Sequence, residues 1–310
     1  MKIISINKPK GWTSFQVINF LKKKFKENKV GHLGTLDPIA TGVLPIFMGK
    51  ATKLIHLFNE VDKTYRTVCM MGVSTDTYDS EGKVVNTNIS KTLNIKKLKN
   101  ILESFLGEQK QLVPPFSAAK VNGKPFYKLA RKGIATPKKV RNIIFHELKI
   151  EKIQFPYVQI FVRCSKGTYI RSMINDLGIK LGIGSHMTSL ERLACGNLFN
   201  TKNSISINKL NNLEKDNLIP WISPLTLLKH YNTIDASSEI VSLIKFGRKV
   251  KLFQSNYSSL LDKTKVEKVS GQKNLSLQIK VLDDNQNLIA IGHLIWDNEE
   301  CYFQPSKVFI

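Results

Sequence analysis

The 310-residue chain has no apolar run approaching the roughly 18 residues that a membrane-spanning helix needs. Its opening, Met1-Lys2-Ile3-Ile4-Ser5-Ile6-Asn7, lacks the layout of a secretory signal, so a cytoplasmic protein with no membrane partner is expected. Cysteine is scarce. Cys69, Cys164, Cys195 and Cys301 are scattered with no Cys-x-x-Cys spacing, which points to buried reduced thiols rather than a zinc site or a disulfide framework. His32 has no metal-ligand spacing with the other five histidines, and no metal or cofactor is expected. Acidic residues are also few, 24 against 47 Lys and Arg, giving a net charge of +23. A chain this basic attracts polyanions with strong salt dependence, and nucleic acid is the leading partner. No internal repeat or extended low-complexity segment is evident, and the length suits about two domains.

What is present centres on residues 30 to 50. Asp37 is the one carboxylate of this stretch; Pro38 holds it extended, and Gly31, Gly34 and Gly42 give the backbone freedom. Val43 to Met48 is almost wholly apolar and reads as a buried strand that anchors the loop. The arrangement suits a loop built to aim one side chain. Asp-Pro beside glycine is equally ordinary turn chemistry, and local features alone leave both readings open.

Around this loop the patterning alternates between helix and strand. Lys2 to Asn7 reads as a strand, and Ser14 is a candidate N-cap for an amphipathic helix with Phe15, Ile18, Leu21 and Phe25 inward and lysines outward. Lys50 to Glu60 reads as a helix, Lys63 to Gly72 as a strand carrying Tyr65, Thr75 to Gly82 as a polar turn without visible chemistry, and Ile95 to Leu106 as a helix. Pro114 to Gly133 mixes proline, glycine, aromatics and basic residues, a composition that fits either a structureless loop or unpaired RNA. Two strands are expected within 143 to 164, then a helix that Thr168 could cap, with Tyr169 and Arg171 in its first turn. Residues 200 to 235 read as a bridge. Beyond them a helix over Ser238 to Phe246 and strands over Leu275 to Val281, Leu288 to Ile295 and Cys301 to Phe303 suggest a small β-rich module.

Three of these segments carry a family resemblance. Gly31-His32-Leu33-Gly34-Thr35-Leu36-Asp37-Pro38-Ile39-Ala40-Thr41-Gly42 resembles the catalytic-aspartate motif of the TruB family, the bacterial synthases that form pseudouridine 55 in transfer RNA. Lys63-Thr64-Tyr65 and Cys164-Ser165-Lys166-Gly167-Thr168-Tyr169-Ile170-Arg171-Ser172 are similar to its other active-site motifs, and Asn7-Lys8-Pro9-Lys10-Gly11 to its start. The resemblance implies an α+β fold: a mixed, mainly antiparallel sheet in a catalytic domain over 1–235, with an RNA-binding insertion at about 113–142. A small PUA-like RNA-binding domain would follow over 236–310, where Ile289 to His293 and Gln304 to Ile310 resemble a PUA end.

By the same resemblance Asp37 is the nucleophile, Tyr65 stacks on the target uracil and helps remove its C5 proton, and Arg171 pairs with Asp37. Tyr169 supports that pair, Leu190 packs on the base, and His32 fills the gap left by the flipped nucleotide. The basic stretch would order on the transfer RNA T arm, and a monomer working without guide RNA is implied. The chemistry agrees with these residue types. A carboxylate, ionised at neutral pH, can attack or stabilise an oxocarbenium-like ribose centre, or remove a ribose proton to give a glycal. A non-catalytic RNA binder and a guide-dependent synthase of the dyskerin type are the other readings. Intact Asp37, Tyr65 and Arg171 argue against the first, and the basic insertion argues against the second.

Overall fold

Strand Thr41–Met48 buries every residue but the first, as its unbroken apolar run dictates. In this computed structural model, residues 1–88, 93–213, 215–252, 278–297 and 300–310 are described. Backbone contacts divide the chain into two units. One comprises Ile4–Phe47 and Leu54–Pro220; the other comprises Met1–Ile3, Met48–Lys53 and Trp221–Ile310.

The larger unit is built on a mixed sheet. Its order is Ser204–Ser206, Lys2–Lys8, Thr41–Met48, Ser185–Cys195, Lys63–Met71, Tyr157–Cys164, Val140–Gln154 and Gly107–Leu112, with Val30–His32 paired on Thr41–Met48 and Phe199–Asn200 on Ser185–Cys195. Lys2–Lys8 with Ser204–Ser206 and Thr41–Met48 with Ser185–Cys195 are parallel pairs. The pairings from Ser185–Cys195 outward to Gly107–Leu112 are antiparallel, so the sheet is mixed and mainly antiparallel as expected. Strand Lys63–Met71 alternates buried and half-buried residues, the period-two pattern of a strand covered more on one face than the other. Its Thr67 and Tyr65 lie opposite Leu190 and Arg192.

Helix Ser14–Phe25 differs from its expected register. Thr13, not Ser14, is the N-cap, in a capping box with Gln16. The inward stripe is Ser14, Val17 and Leu21, while Phe15 is 65% exposed. The reason is polar: the Ser14 hydroxyl turns inward to serve both backbone groups of Leu36, which rotates the stripe by one residue. Lys22, Lys23 and Lys24 then fall in the last turn, where cations complement the helix dipole. The helix expected over Lys50 to Glu60 is present as the 3-10 helix Gly49–Phe58, and that expected from Ile95 is Ile95–Glu103, ending before Leu106.

The basic stretch after Val113 carries structure of its own. Lys120–Val121 pairs with Lys124–Pro125, and helix Phe126–Ala130 follows. Val113, Ala119 and a fully buried Phe126 make a local core against Val121 and Tyr169. Helix Ile170–Leu181 begins one residue after Tyr169, and Thr168 does not cap it; the Thr168 hydroxyl instead donates to the Ser165 carbonyl at 2.9 Å.

The smaller unit carries a five-stranded sheet in the order Asn232–Asp235, Gln278–Leu282, Leu288–Asp297, Glu300–Val308 and Val250–Leu252. Helix Ser238–Lys245 packs with it around Ile234, Ile244, Ile279, Leu294 and Phe303. The start of the strand expected from Leu275 lies outside the described residues; the described part begins at Gln278. Among the described residues no helix is long and apolar enough to cross a membrane.

Candidate active site

Asp37 is held from both sides. Before it, the Leu36 N–H donates to Ser14 Oγ at 2.9 Å, and that hydroxyl donates to the Leu36 carbonyl at 3.1 Å. After it, the Pro38 carbonyl accepts from the Gly11 N–H at 2.8 Å and from Lys8 Nζ at 3.3 Å. The Ala40 N–H closes a tight turn on the Asp37 carbonyl at 3.0 Å, so the turn reading and the presentation reading describe the same loop. Gly34 and Gly42 adopt φ of +84° and +97°, whereas Gly31 is not in the left-handed region. Gly42 has a second reason to be glycine: a Cβ there would lie 2.3 Å from the Arg192 carbonyl oxygen. Lys8 is fully buried, and its ammonium is shared among the carbonyls of Pro9, Trp12 and Pro38. Burial pulls its pKa down to about 8, against the opposing pull of Asp37.

Arg171 meets this carboxylate from helix Ile170–Leu181. Its Nε lies 2.9 Å from Asp37 Oδ2; the guanidinium side chain is 5% exposed and the carboxylate 37%. Nη1 lies 3.6 Å from Asp79 Oδ2 and donates to the Thr77 carbonyl at 3.0 Å, while Nη2 donates to the Phe116 carbonyl at 2.9 Å. The guanidinium is thus fixed by the Thr75–Gly82 turn and by the basic stretch, and it presents one edge to Asp37. A buried charge is tolerable only when paired and hydrogen-bonded, and Arg171 is both.

Asp37, Tyr65, Tyr169, Arg171 and Leu190 line one open cleft of about 440 Å³. Tyr65 is 8% exposed and Leu190 7%, and they stand on neighbouring strands. Burial pushes the Tyr65 phenol up to about 12, so it is protonated at neutral pH. The Tyr169 backbone is clamped at both ends by the buried Gln111 side chain, at 2.8 and 2.9 Å, and the Arg141 guanidinium stands 5.5 Å from its ring. His32 does not line the cleft. Its Nδ1 is buried without a hydrogen-bond partner among the described residues, and burial, with Arg192 acting in the same sense, lowers its pKa. Among the described residues no group of three or more His, Cys, Asp or Glu side chains could hold a metal. All four cysteines are free and buried.

Sequence reasoning passed over several residues that shape this cleft. Asp79 sits in the turn expected to carry no chemistry, yet it is 4% exposed and faces Arg171. Ser14 was an expected cap and is a loop clamp. Gln111 and Arg192 gave no motif signal, since a buried polar residue inside a strand reads like an outward-facing one.

Comparison with known proteins assigns the family. Residues 22–170 match the model for the TruB family pseudouridylate synthase, N-terminal domain. The tRNA pseudouridine synthase B of Clostridium kluyveri is 40% identical over 99% of this chain and 99% of its own. That of Clostridium tetani is 41% identical over 86% of this chain and 90% of its own. Among solved structures, a Cbf5-Nop10-Gar1 complex contains a chain with the same fold, with a TM-score of 0.67 at 22% identity, covering 100% of this chain and 85% of that one. On this evidence the chain belongs to the TruB family of pseudouridylate synthases.

Proposed function

We propose that the chain isomerises uridine 55 in the T arm of transfer RNA to pseudouridine, as a monomer in the cytoplasm and without guide RNA. The observation that carries this reading is the partly exposed Asp37 carboxylate paired with a buried Arg171 in a cleft that also holds Tyr65, Tyr169 and Leu190. Relatives at about 40% identity over most of the chain are tRNA pseudouridine synthases. They support transfer RNA as the substrate over the guide-dependent alternative, whose solved examples share only the fold with this chain.

On this reading the target uridine is extruded from its stack at a cost of a few kcal/mol and enters the cleft. Asp37 acts at the ribose as the bond from C1′ to uracil N1 breaks, either attacking C1′ or removing a ribose proton. Arg171 holds the carboxylate in place, so no separate base has to activate it. Tyr65 and Leu190 pack on the base while it turns and is rejoined through C5; Tyr65 then assists loss of the C5 proton. Tyr169 carries the sugar side, and His32, kept neutral by burial, fills the vacated stack. The folded stretch after Val113 closes over the T arm through its lysines, and the C-terminal sheet acts as a PUA-like RNA-binding domain over 236–310.

The experiment is tritium release from transfer RNA labelled at uracil C5, without guide RNA. Release with one product per RNA is expected. No release from the wild-type chain would leave a binding protein on a synthase scaffold.

A further inference from the structure

The cleft carries its charges unequally. At Asp37 a single guanidinium, Arg171, meets two carboxylates, at 2.9 and 3.6 Å. Towards Tyr65 the same cleft is lined by Lys63 and Arg192, and neither has a carboxylate at ion-pair distance among the described residues.

Arg192 is the more unusual of the two. It is 1% exposed, its Nε donates to the Val43 carbonyl at 2.6 Å, and its Nη2 donates to the Gly34 carbonyl at 3.0 Å. It lies opposite Tyr65 across the strand pair, and both side chains line the cleft. These two carbonyl dipoles orient the guanidinium but do not cancel its charge, and burial leaves little water to screen it. Gly34 makes room for both cations: a Cβ there would lie 3.2 Å from Arg192 Nη1 and 3.9 Å from Lys63 Cε. Lys63 donates to the Val61 carbonyl at 2.5 Å, and burial lowers its pKa. Lys8, a further buried cation, is taken up by carbonyls behind the Asp37 loop and does not line the cleft.

We propose that Arg192, aided by Lys63, is a charge-positioning residue for the detached base: its field stabilises the uracil anion while that base is free of the sugar. The inference rests on the pseudouridine-forming reading of the cleft. When the C1′–N1 bond breaks, its electron pair leaves with uracil and spreads over N1 and the two carbonyl oxygens, while Asp37 meets the positive charge developing at C1′. When the base rejoins, an electron pair from C5 forms the new bond to C1′ and the ring returns to neutrality; the C5 proton then departs and N1 takes up a proton from solvent. Arg192 neither gives nor takes a proton. The Asp37 carboxylate and the buried Arg192 and Lys63, all lining the same cleft, match the two signs of charge in the intermediate, and such preorganisation costs nothing at the moment of reaction.

The test uses the full chain with a T-arm stem-loop carrying either uridine or 5-fluorouridine at the target position, under single-turnover conditions. Fluorine makes uracil a better leaving group, so a lost cation should matter less with it. With cleavage of the C1′–N1 bond as the readout on both substrates, since fluorine at C5 blocks the final proton loss, Arg192→Met is expected to slow uridine by about 100-fold, the scale for loss of one preorganised charge, and 5-fluorouridine by about 10-fold or less. Arg192→Lys, which keeps the charge, should recover most of the uridine rate, and RNA affinity should hold in both variants. Equal losses on the two substrates, an unchanged rate, or a loss confined to RNA affinity would each overturn the proposal. If Arg192→Met does not fold, Lys63→Met carries the same comparison. Absence of turnover by the wild-type chain refutes the functional reading instead, so the two failures are distinguishable.

Discussion

The Ser14 hydroxyl offers a sharp separation of folding from chemistry. It accepts from the Leu36 N–H at 2.9 Å and donates to the Leu36 carbonyl at 3.1 Å, one residue before Asp37, and Ser14 is 3% exposed. Ser14→Ala leaves a buried N–H and a buried carbonyl without these partners, at about 1–3 kcal/mol for an unsatisfied group of this kind. For a unit of this size that is roughly 2–12 °C in the melting midpoint. The loop then loses its upstream tether, and since a misplacement of about 1 Å can cost roughly 100-fold, single-turnover conversion should fall by about 10- to 100-fold. The neighbouring Thr13→Ala is the control. It removes the helix N-cap, a loss of about 0.5–2 kcal/mol, but the Thr13 side chain bonds Gln16 and not the Asp37 loop, so conversion should hold. Thermal melts and rapid-quench kinetics on both variants read the two effects. If both variants slow conversion equally, or if Ser14→Ala melts lower with an unchanged rate, the tether does not position Asp37.

Three further outcomes follow from the same geometry. Asp79→Asn removes one of the two carboxylates on Arg171 but leaves Asp37, so it should destabilise by less than the roughly 3–5 kcal/mol of an orphaned buried charge. It should lower the single-turnover rate while RNA affinity, read by filter binding, is retained. Phe126→Ala empties the centre of the small core beneath the basic stretch, a loss of about 3–5 kcal/mol for a buried Phe, and limited proteolysis should then cut within 114–133 well before the sheet unfolds. Lys8 gives a pH signature. The folded chain releases its proton near pH 8 and the unfolded chain near 10.5, so between those values the unfolded state binds more protons and this group makes stability rise with pH. Denaturation of Lys8→Met across that window should show the rise diminished; an identical profile would refute the assignment.

The elements that sequence patterning captured are those whose burial obeys a simple period. Val43–Met48 is apolar throughout because it is covered on both faces, and Lys63–Met71 alternates because it is covered more on one. The helix after Thr13 was misregistered because an apolar stripe cannot count a serine that turns inward to bind backbone. Asp79 was invisible for a related reason: a short acidic residue in a turn looks the same whether it meets water or a buried guanidinium. Arg192 has the same disguise, since its acceptors are main-chain carbonyls that no side-chain pattern reveals. The Asp37, Tyr65 and Arg171 motifs were readable one by one, but their convergence is a property of the fold. A loop, a strand and a helix start, spread over more than a hundred residues of the chain, open onto one cleft.

The most direct test of the account is conversion by Asp37→Asn beside the wild type, with transfer RNA in single turnover and the product read by tritium release. The variant should fold, bind transfer RNA as the wild type does and release no tritium. Appreciable release by that variant would contradict a mechanism centred on the Asp37 carboxylate.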